Sequence, residues 1–332
     1  MTHEIVVNGR FLSRRVTGVE RHGREILRYI GDRSRLEMTR QNGLLGHVWE
    51  QVILPGRLSR ESVLWSPANT GPLWVRQQAL TVHDLSALEN PNWFQKSFAA
   101  WYSLLIPILV RRARVLFAPS EYVRQKLIRR FGRQDVVVTP NGVDLSIFQP
   151  GASQEQSKLP PCYILFLGTL EPRKNLTGLL QVWKEIEQEF RDVWLVIAGT
   201  QSTVHRTEHL PARVERVIYL GYVEESVLPG LYANALFFVM PSLDEGFGLP
   251  ALEAMACGTP VLVSNGGALP EVVRDAGLVF DLSDSTALSR SMRQCLQDQE
   301  LRQALKEKGL ARARDFSWQH TAELIWNTLH EI

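Results

Sequence analysis

The feature that most restricts this chain is a series of short, unbroken apolar runs rich in Val, Ile and Leu, separated by stretches of helical character. Residues 5–8 (IVVN), 63–66 (VLWS), 79–83 (ALTVH), 114–119 (RVLFAP) and 135–139 (DVVVT) carry it through the first half. Residues 163–168 (YILFLG), 193–199 (VWLVIAG), 217–220, 236–240 and 260–263 carry it through the second. A strand with one wet face alternates apolar and polar residues; these runs do not. They read as strands buried on both faces, in parallel sheets wrapped by helices. The helices are expected from the Thr17-Gly18-Val19 loop to about residue 30, over about 93–112, from a Ser120 cap to about 131, over about 176–190, and through a helical tail from 288 to 332.

The pattern restarts after GASQEQSKLPP, residues 151–161, a polar, Pro-ended stretch that reads as a linker. A chain of 332 residues exceeds what one core usually supports. The expected organisation is therefore an α/β domain over 1–150, a second over 151–315, and a C-terminal helix over 316–332 that crosses back to the first. In doubly wound sheets ligands sit beyond the carboxyl ends of the strands. With two such domains the expected site is the cleft between them.

Bulk properties exclude several classes. The N-terminal MTHEIVVNGR lacks the apolar core of a signal peptide. The most apolar run, FAAWYSLLIPILV at 98–110, is shorter than the ~20 residues a bilayer span needs, and reads as a core helix kinked at Pro107. Cys162, Cys257 and Cys295 form no CxxC pair and read as small buried apolar residues in a reducing cytoplasm. His205 and His209, four apart in HRTEH, read as an exposed helix face rather than metal ligands. Residues 1–150 carry 21 Lys+Arg against 12 Asp+Glu, whereas residues 151–332 carry 16 against 23. A basic first half suggests an anionic partner such as a membrane surface. Arg14, Arg15, Arg21, Arg24 and Arg28 recur at helical spacing, which equally describes one solvated helix face. No aromatic interleaving or recognition motif accompanies them, so nucleic acid is not the expected partner.

The residues just after strands carry the chemistry. Arg173 and Lys174 follow YILFLG and precede a helix; a planar fork and a point charge at a helix start suit a diphosphate. His83 follows ALTVH at a strand end, where its ring can donate to a substrate hydroxyl. Gly18 lets backbone approach an anion. In PSLDEGFGLPALEAMACGTPV, Glu245 lies in a loop with Gly246, Phe247 and Gly248. Pro250 suits the first helical position, Glu253 falls in the first turn, and Gly258 ends the helix. Both glutamates can accept from vicinal hydroxyls.

That segment resembles the E-x7-E signature of retaining glycosyltransferases of family four. TGVER, HDLSALENP, APSEYVRQKL, PNGVD, LGTLEPRKNL, LGYV and GALPEVV agree, in the family's order, from about residue 5 to 330. The resemblance implies two Rossmann-like doubly wound domains, the GT-B fold, with an interdomain cleft and a helical C-terminal tail. It implies that Glu253 holds ribose hydroxyls, Glu245 the donor sugar, and Arg173 and Lys174 the leaving diphosphate. His83 meets the donor sugar, Gly18 the diphosphate or acceptor, backbone near Tyr222 and Val223 the base, and Gly248 and Leu249 the phosphate. Thr169 stands where many members carry arginine, so Arg173 takes that role.

The implied activity is metal-independent transfer of a hexose, with retention, from a nucleotide-sugar to a glycan or lipid-linked saccharide. No DxD motif is present. No cofactor is implied beyond the donor; GDP-mannose is favoured, with UDP-glucose and dTDP-rhamnose open. The basic half fits an enzyme resting on an anionic cytoplasmic membrane face. A sugar-nucleotide epimerase on the same fold would need further cleft acids, and a non-catalytic nucleotide-sugar-binding subunit would show losses at His83, Lys174 or a glutamate.

Overall fold

A computed structural model describes residues 3–14, 16–151, 159–201, 204–206 and 214–332. The chain divides into two compact units, one of Met1–Pro91, Lys96–Gly142 and Ser317–Ile332, the other of Asn92–Gln95 and Val143–Phe316. Most of the expected linker, and Arg15 and His209, lie outside the described residues.

The first unit is built on six parallel strands: β1 (Glu4–Asn8), β2 (Arg35–Glu37), β3 (Ser62–Ser66), β4 (Gln78–Thr81), β5 (Val115–Ala118) and β6 (Val136–Val138). Their spatial order is β2-β1-β3-β4-β5-β6. The second has β7 (Tyr163–Leu167), β8 (Trp194–Ala198), β9 (Val217–Gly221), β10 (Phe237–Met240), β11 (Val261–Ser264) and β12 (Gly277–Phe280). Their order is β12-β11-β10-β7-β8-β9, again all parallel. Each sheet therefore reverses its winding once, between β1 and β3 in the first unit and between β7 and β10 in the second. Such reversals part the loops on either side and make room for a ligand.

Two strands escaped the sequence pattern. β2 reads Arg-Leu-Glu, a short charged edge, and β12 opens on Gly277 at the other sheet's edge. β2 is too short and too polar to read as a central strand, whereas β12, Gly-Leu-Val-Phe, is apolar but opens on a glycine that reads as a turn. The long helix starts at Lys96 rather than residue 93, because Pro91–Trp93 form a 3-10 turn; Pro107 lies inside it. The helix after β7 stops at Ile186, and the tail is three helices, Ala287–Gln297, Gln299–Ala313 and Trp318–His330. The first helix, Gly18–Ile30, begins at Gly18 itself, with Glu20 accepting from the Thr17 N–H at 3.2 Å as in a capping box. Arg14 thus precedes the helix that carries Arg21, Arg24 and Arg28. Ser120 caps Glu121–Phe131 as expected, accepting from the Val123 N–H at 3.2 Å.

Each unit has its own core. In the second, Trp183, Leu179 and Ile186 of the helix after β7 pack on Ile164, Phe166 and Ile197 of the sheet. The Trp183 indole N–H is satisfied by the Glu215 carbonyl at 3.1 Å, which a buried indole needs. In the first, the C-terminal helix packs against Gly18–Ile30, burying Trp318, Ile325 and Leu329. Cys257 and Cys295 are buried free thiols, but Cys162 is only half-buried.

Candidate active site

The β7/β10 reversal gathers most of the residues singled out in the sequence. After β7 the chain passes Gly168 to a 3-10 turn, Pro172–Lys174, and through Asn175 in the left-handed region (φ 54°) into Leu176–Ile186. After β10 it runs through Pro241 to Gly248 and enters the helix Leu249–Ala256. The two loops are stitched together: the Leu243 N–H donates to the Arg173 carbonyl at 2.7 Å, and Asn175 Nδ2 donates to the Pro241 carbonyl at 3.2 Å.

Glu245 is the hub. Its Oε1 accepts from Lys174 Nζ at 2.6 Å and its Oε2 from Arg173 Nη1 at 2.8 Å. Burial pushes the Glu245 carboxyl up, but Arg173 and Lys174 outweigh it and hold it below the usual range. Arg173 is gripped from the other side by Glu171, with Nε at 3.0 Å and Nη2 at 2.8 Å from Oε1. Glu171 is fully buried, and His205 Nδ1 lies 2.7 Å from its Oε2. Burial raises this carboxyl as well, yet Arg173, His205 and Lys174 bring it down to about 2.

The glycines explain how the loop comes so close. Gly248 has φ +103°, and a Cβ there would sit 2.5 Å from Leu269 Cδ2. Gly267 has φ +74° and braces the Glu245 backbone; a Cβ would meet the Glu245 carbonyl oxygen at 2.3 Å. The Ala268 N–H completes this support, donating to the Glu245 carbonyl at 2.8 Å.

Glu253 stands differently from the expectation. The helix begins at Leu249, with Pro250 second, so Glu253 lies in its second turn rather than its first. It is 2% exposed and accepts from the Tyr232 phenol at 3.0 Å. Gly258 takes the left-handed conformation just past the helix, as its place required. Gly246, Phe247, Gly248 and Leu249 form the buried approach to the helix, and Tyr222 and Val223 follow β9, with Tyr222 exposed. His205 is not on a helix face. It forms an isolated bridge with Phe94, their rings 4.6 Å apart, as well as the Glu171 contact. Glu171, His205 and Gly267 are the residues that motif reasoning left without a role. An acidic residue before an Arg-Lys pair was the one signal available for Glu171.

Gly18 and His83 belong to the first unit. Gly18 is exposed at its helix start. His83 is buried; its backbone N–H donates to Asn69 Oδ1 and its ring Nε2 to the Pro67 carbonyl, both at 2.7 Å. A carbonyl only accepts, so Nε2 carries the proton. Burial lowers the His83 pKa despite the raising influence of Pro67 and Asp84, leaving a neutral ring. The free Nδ1 is then an acceptor, which replaces the expected donor role. His22 packs edge-on at 4.9 Å, with Nδ1–H donating to Asn141 Oδ1 at 2.8 Å.

The β1/β3 reversal holds a second buried cluster that carries no local sequence signal. Arg10 Nη1 pairs with Glu50 Oε2 at 2.6 Å. Asn8 Nδ2 and the Thr70 hydroxyl donate to Glu50 Oε1 at 2.9 and 3.1 Å. Ser66, bonded to Asn8 at 3.3 Å, donates onward to Gln78 at 3.1 Å.

Comparison with known proteins fits this architecture. The family described as Glycosyl transferases group 1 matches residues 152–312, and Glycosyltransferase Family 4 matches residues 63–147. The O-antigen chain mannosyltransferase B of Escherichia coli is 37% identical over 266 residues, covering 75% of this chain and 69% of that protein. The serotype-specific mannosyltransferase WbdA of Escherichia coli is 31% identical over 260 residues, covering 73% of this chain but only 32% of its own length. Sucrose-phosphate synthase from Thermosynechococcus elongatus superposes with a TM-score of 0.76 at 17% identity, over 99% of this chain and 98% of that one. Anabaena HepE, solved in complex with UDP and glucose, gives 0.76 at 17% over the whole of both chains. The two doubly wound parallel sheets are thus those of a GT-B glycosyltransferase. The chain belongs to the glycosyltransferase family defined by these group 1 and family 4 domains.

Proposed function

We propose that the protein is a retaining hexosyltransferase that moves mannose from GDP-mannose to a glycan or lipid-linked saccharide. The observation that carries this is the clasp of Glu245 between Arg173 and Lys174 at the β7/β10 reversal, at 2.8 and 2.6 Å. Breaking a sugar–phosphate bond leaves charge on the diphosphate. Two fixed cations, already oriented by Glu171 and Glu245, stabilise that charge without reorganising. Arg173 and Lys174 take the leaving diphosphate in this reading, without a metal. Glu245 accepts from donor-sugar hydroxyls, and Glu253, oriented by Tyr232, accepts from the ribose. The N–H groups of Gly248 and Leu249 face phosphate, and backbone at Tyr222 and Val223 meets the base. His83 accepts a sugar hydroxyl through Nδ1, and Gly18 contributes bare backbone toward diphosphate or acceptor. The mannosyl assignment is supported by the 37% identical relative named a mannosyltransferase.

A thermal-shift panel of GDP, UDP and dTDP on the wild type, Lys174→Ala and Glu253→Ala tests it. A nucleotide at 100 times its dissociation constant adds about 2.7 kcal/mol of stability. The expected result is a shift with GDP alone, lost in both variants. A shift with UDP or dTDP instead moves the donor assignment; none with any nucleotide overturns it. Product formed from GDP-mannose, with its anomeric configuration read by NMR, then tests retention.

A further inference from the structure

The loop that carries Arg173 has a support to which the reaction as read above gives no part. Glu171 stands just ahead of the turn Pro172–Lys174 and is fully buried. Its Oε1 accepts from both Arg173 Nε and Nη2, at 3.0 and 2.8 Å. A carboxylate held at one oxygen can still swing about that oxygen, and the guanidinium swings with it. Whatever fixes the other oxygen therefore fixes the fork. His205 does so, with Nδ1 2.7 Å from Oε2, and among the described residues no other donor reaches that atom. A carboxylate only accepts, so Nδ1 carries the proton. Without His205, Oε2 is a buried acceptor left unpaired, which is costly.

His205 is itself held from two sides. The loop after β8 lies along the loop after β7, where the Gly168 N–H donates to the Ala198 carbonyl and the Leu170 N–H to the Thr200 carbonyl, both at 3.0 Å. Farther on, residues 204–206 run antiparallel to residues 93–95. The Gln95 N–H donates to the Val204 carbonyl at 2.9 Å, and the Arg206 N–H to the Trp93 carbonyl at 2.8 Å. Phe94 is buried while Asn92 and Gln95 are exposed, and its ring meets the His205 ring at 4.6 Å. Asn92–Gln95 belongs to the second unit, although the residues on either side belong to the first. Four residues from far upstream thus back the Arg173 loop.

We propose that His205 is a positioning residue for the transfer: acting through Glu171, it fixes the Arg173 fork on the phosphate from which the sugar departs. The inference rests on the reading that Arg173 meets the leaving diphosphate. As the sugar leaves, the bonding electron pair stays on the terminal phosphate, the one that a nucleoside monophosphate lacks. Donors already in place act there without reorganising, and a fork that swings gives up part of that advantage. Lys174 is held separately, by Glu245 at 2.6 Å, so its charge stays in place when His205 is lost. Removing His205 therefore weakens the hold on the terminal phosphate without abolishing it.

Calorimetry of GDP against GMP, UDP against UMP and dTDP against dTMP measures that hold as the ratio of affinities within the pair that binds. His205→Phe keeps a ring and removes the N–H. It is expected to weaken the diphosphate about 10-fold, the low end for a hydrogen bond to a charged group, and to leave the monophosphate unchanged. His205→Asn puts an amide N–H close to the place of Nδ1 and recovers most of the loss. In turnover His205→Phe lowers kcat more than it raises KM, because the phosphate charge is complete only as the bond breaks. A further readout needs no nucleotide. The Nε–H resonance of Arg173, identified by its loss in Arg173→Lys, is sharp in the wild type and in His205→Asn and broadened in His205→Phe. Should His205→Phe not fold, His205→Ala takes its place in each measurement, at a side chain 16% exposed.

Equal losses for diphosphate and monophosphate, an Asn variant no better than the Phe variant, or an Arg173 resonance indifferent to His205 overturns the proposal. If the resonance responds while no nucleotide binds the wild type, the donor reading falls and the hold of His205 on Arg173 stands. If the wild type binds a diphosphate and the resonance does not respond, the donor reading stands and His205 has no part in it.

Discussion

Each sheet reverses its winding once, and at each reversal a buried glutamate is held by an arginine. At β1/β3 the pair is Glu50 and Arg10; at β7/β10 it is Glu245 and Arg173. The surroundings differ. Glu50 is 1% exposed, and side chains of Asn8, Thr70, Ser66 and Gln78 close around it. Around Glu245 the neighbours are a second cation, Lys174, and the bare backbone of Gly246, Gly248, Gly266 and Gly267. Arg173 keeps 13% of its side chain in solvent. The same ion pair therefore has two uses. Closed over by polar side chains it fixes a fold; with a second cation, and glycine backbone on much of the adjoining loops, it is the arrangement that the proposed diphosphate role calls for.

The comparison can be broken in three places. The largest effect is expected at the closed pair: Glu50→Ala leaves Arg10 buried and unpaired, and lowers unfolding stability by about 3–5 kcal/mol in denaturant titration at neutral pH. Adding Arg10→Met restores most of it, because the uncompensated charge is gone. A loss below ~1 kcal/mol would show that water reaches the pair and that the two reversals are alike.

The next effect lies in acid. Glu171 titrates at about 2 in the folded chain against an ordinary 4.5. Its folded pKa is lowered, so its stabilisation is complete above pH 4.5 and is lost as pH falls toward about 2. At 1.36 kcal/mol per pKa unit this amounts to about 3 kcal/mol. Stability measured against pH should be flatter through that window in Glu171→Gln than in the wild type. Identical slopes would remove Glu171 from the support of Arg173.

The smallest effect sharpens the distinction between holding a fold and holding a ligand. Tyr232→Phe removes the donor at 3.0 Å from Glu253 and costs about 1.5 kcal/mol, the low end for a hydrogen bond to a charged group. It should also weaken nucleotide binding in calorimetry. Lost stability with unchanged affinity would confine Tyr232 to packing.

What the sequence disclosed follows the same division. Arg173, Lys174, Glu245 and the glycines lie in two short segments, each attached to an apolar strand, so local spelling was enough to find them. The strands themselves were visible as apolar runs; β2 is three residues with two charges, and β12 opens on a glycine that reads as a turn, so these two edges were missed. Glu50 and Arg10 are forty residues apart, and only the order of strands brings them together. Glu253 was assigned to the first helical turn because Pro250 was placed at the helix start, whereas the helix begins one residue earlier. His83 was read as a donor because its ring's partner, the Pro67 carbonyl, belongs to a different loop.

The division of the chain bears on how it is made. The first unit takes Ser317–Ile332 into its own packing, with Trp318, Ile325 and Leu329 buried there. A ribosome working from the N-terminus delivers that segment after all of Val143–Phe316. The half synthesised first must wait, with the apolar side of Gly18–Ile30 uncovered, while the half synthesised second already has nearly all of its residues. Order of synthesis and order of completion are opposed in this chain, and the early half is the one that needs protection from aggregation while it waits.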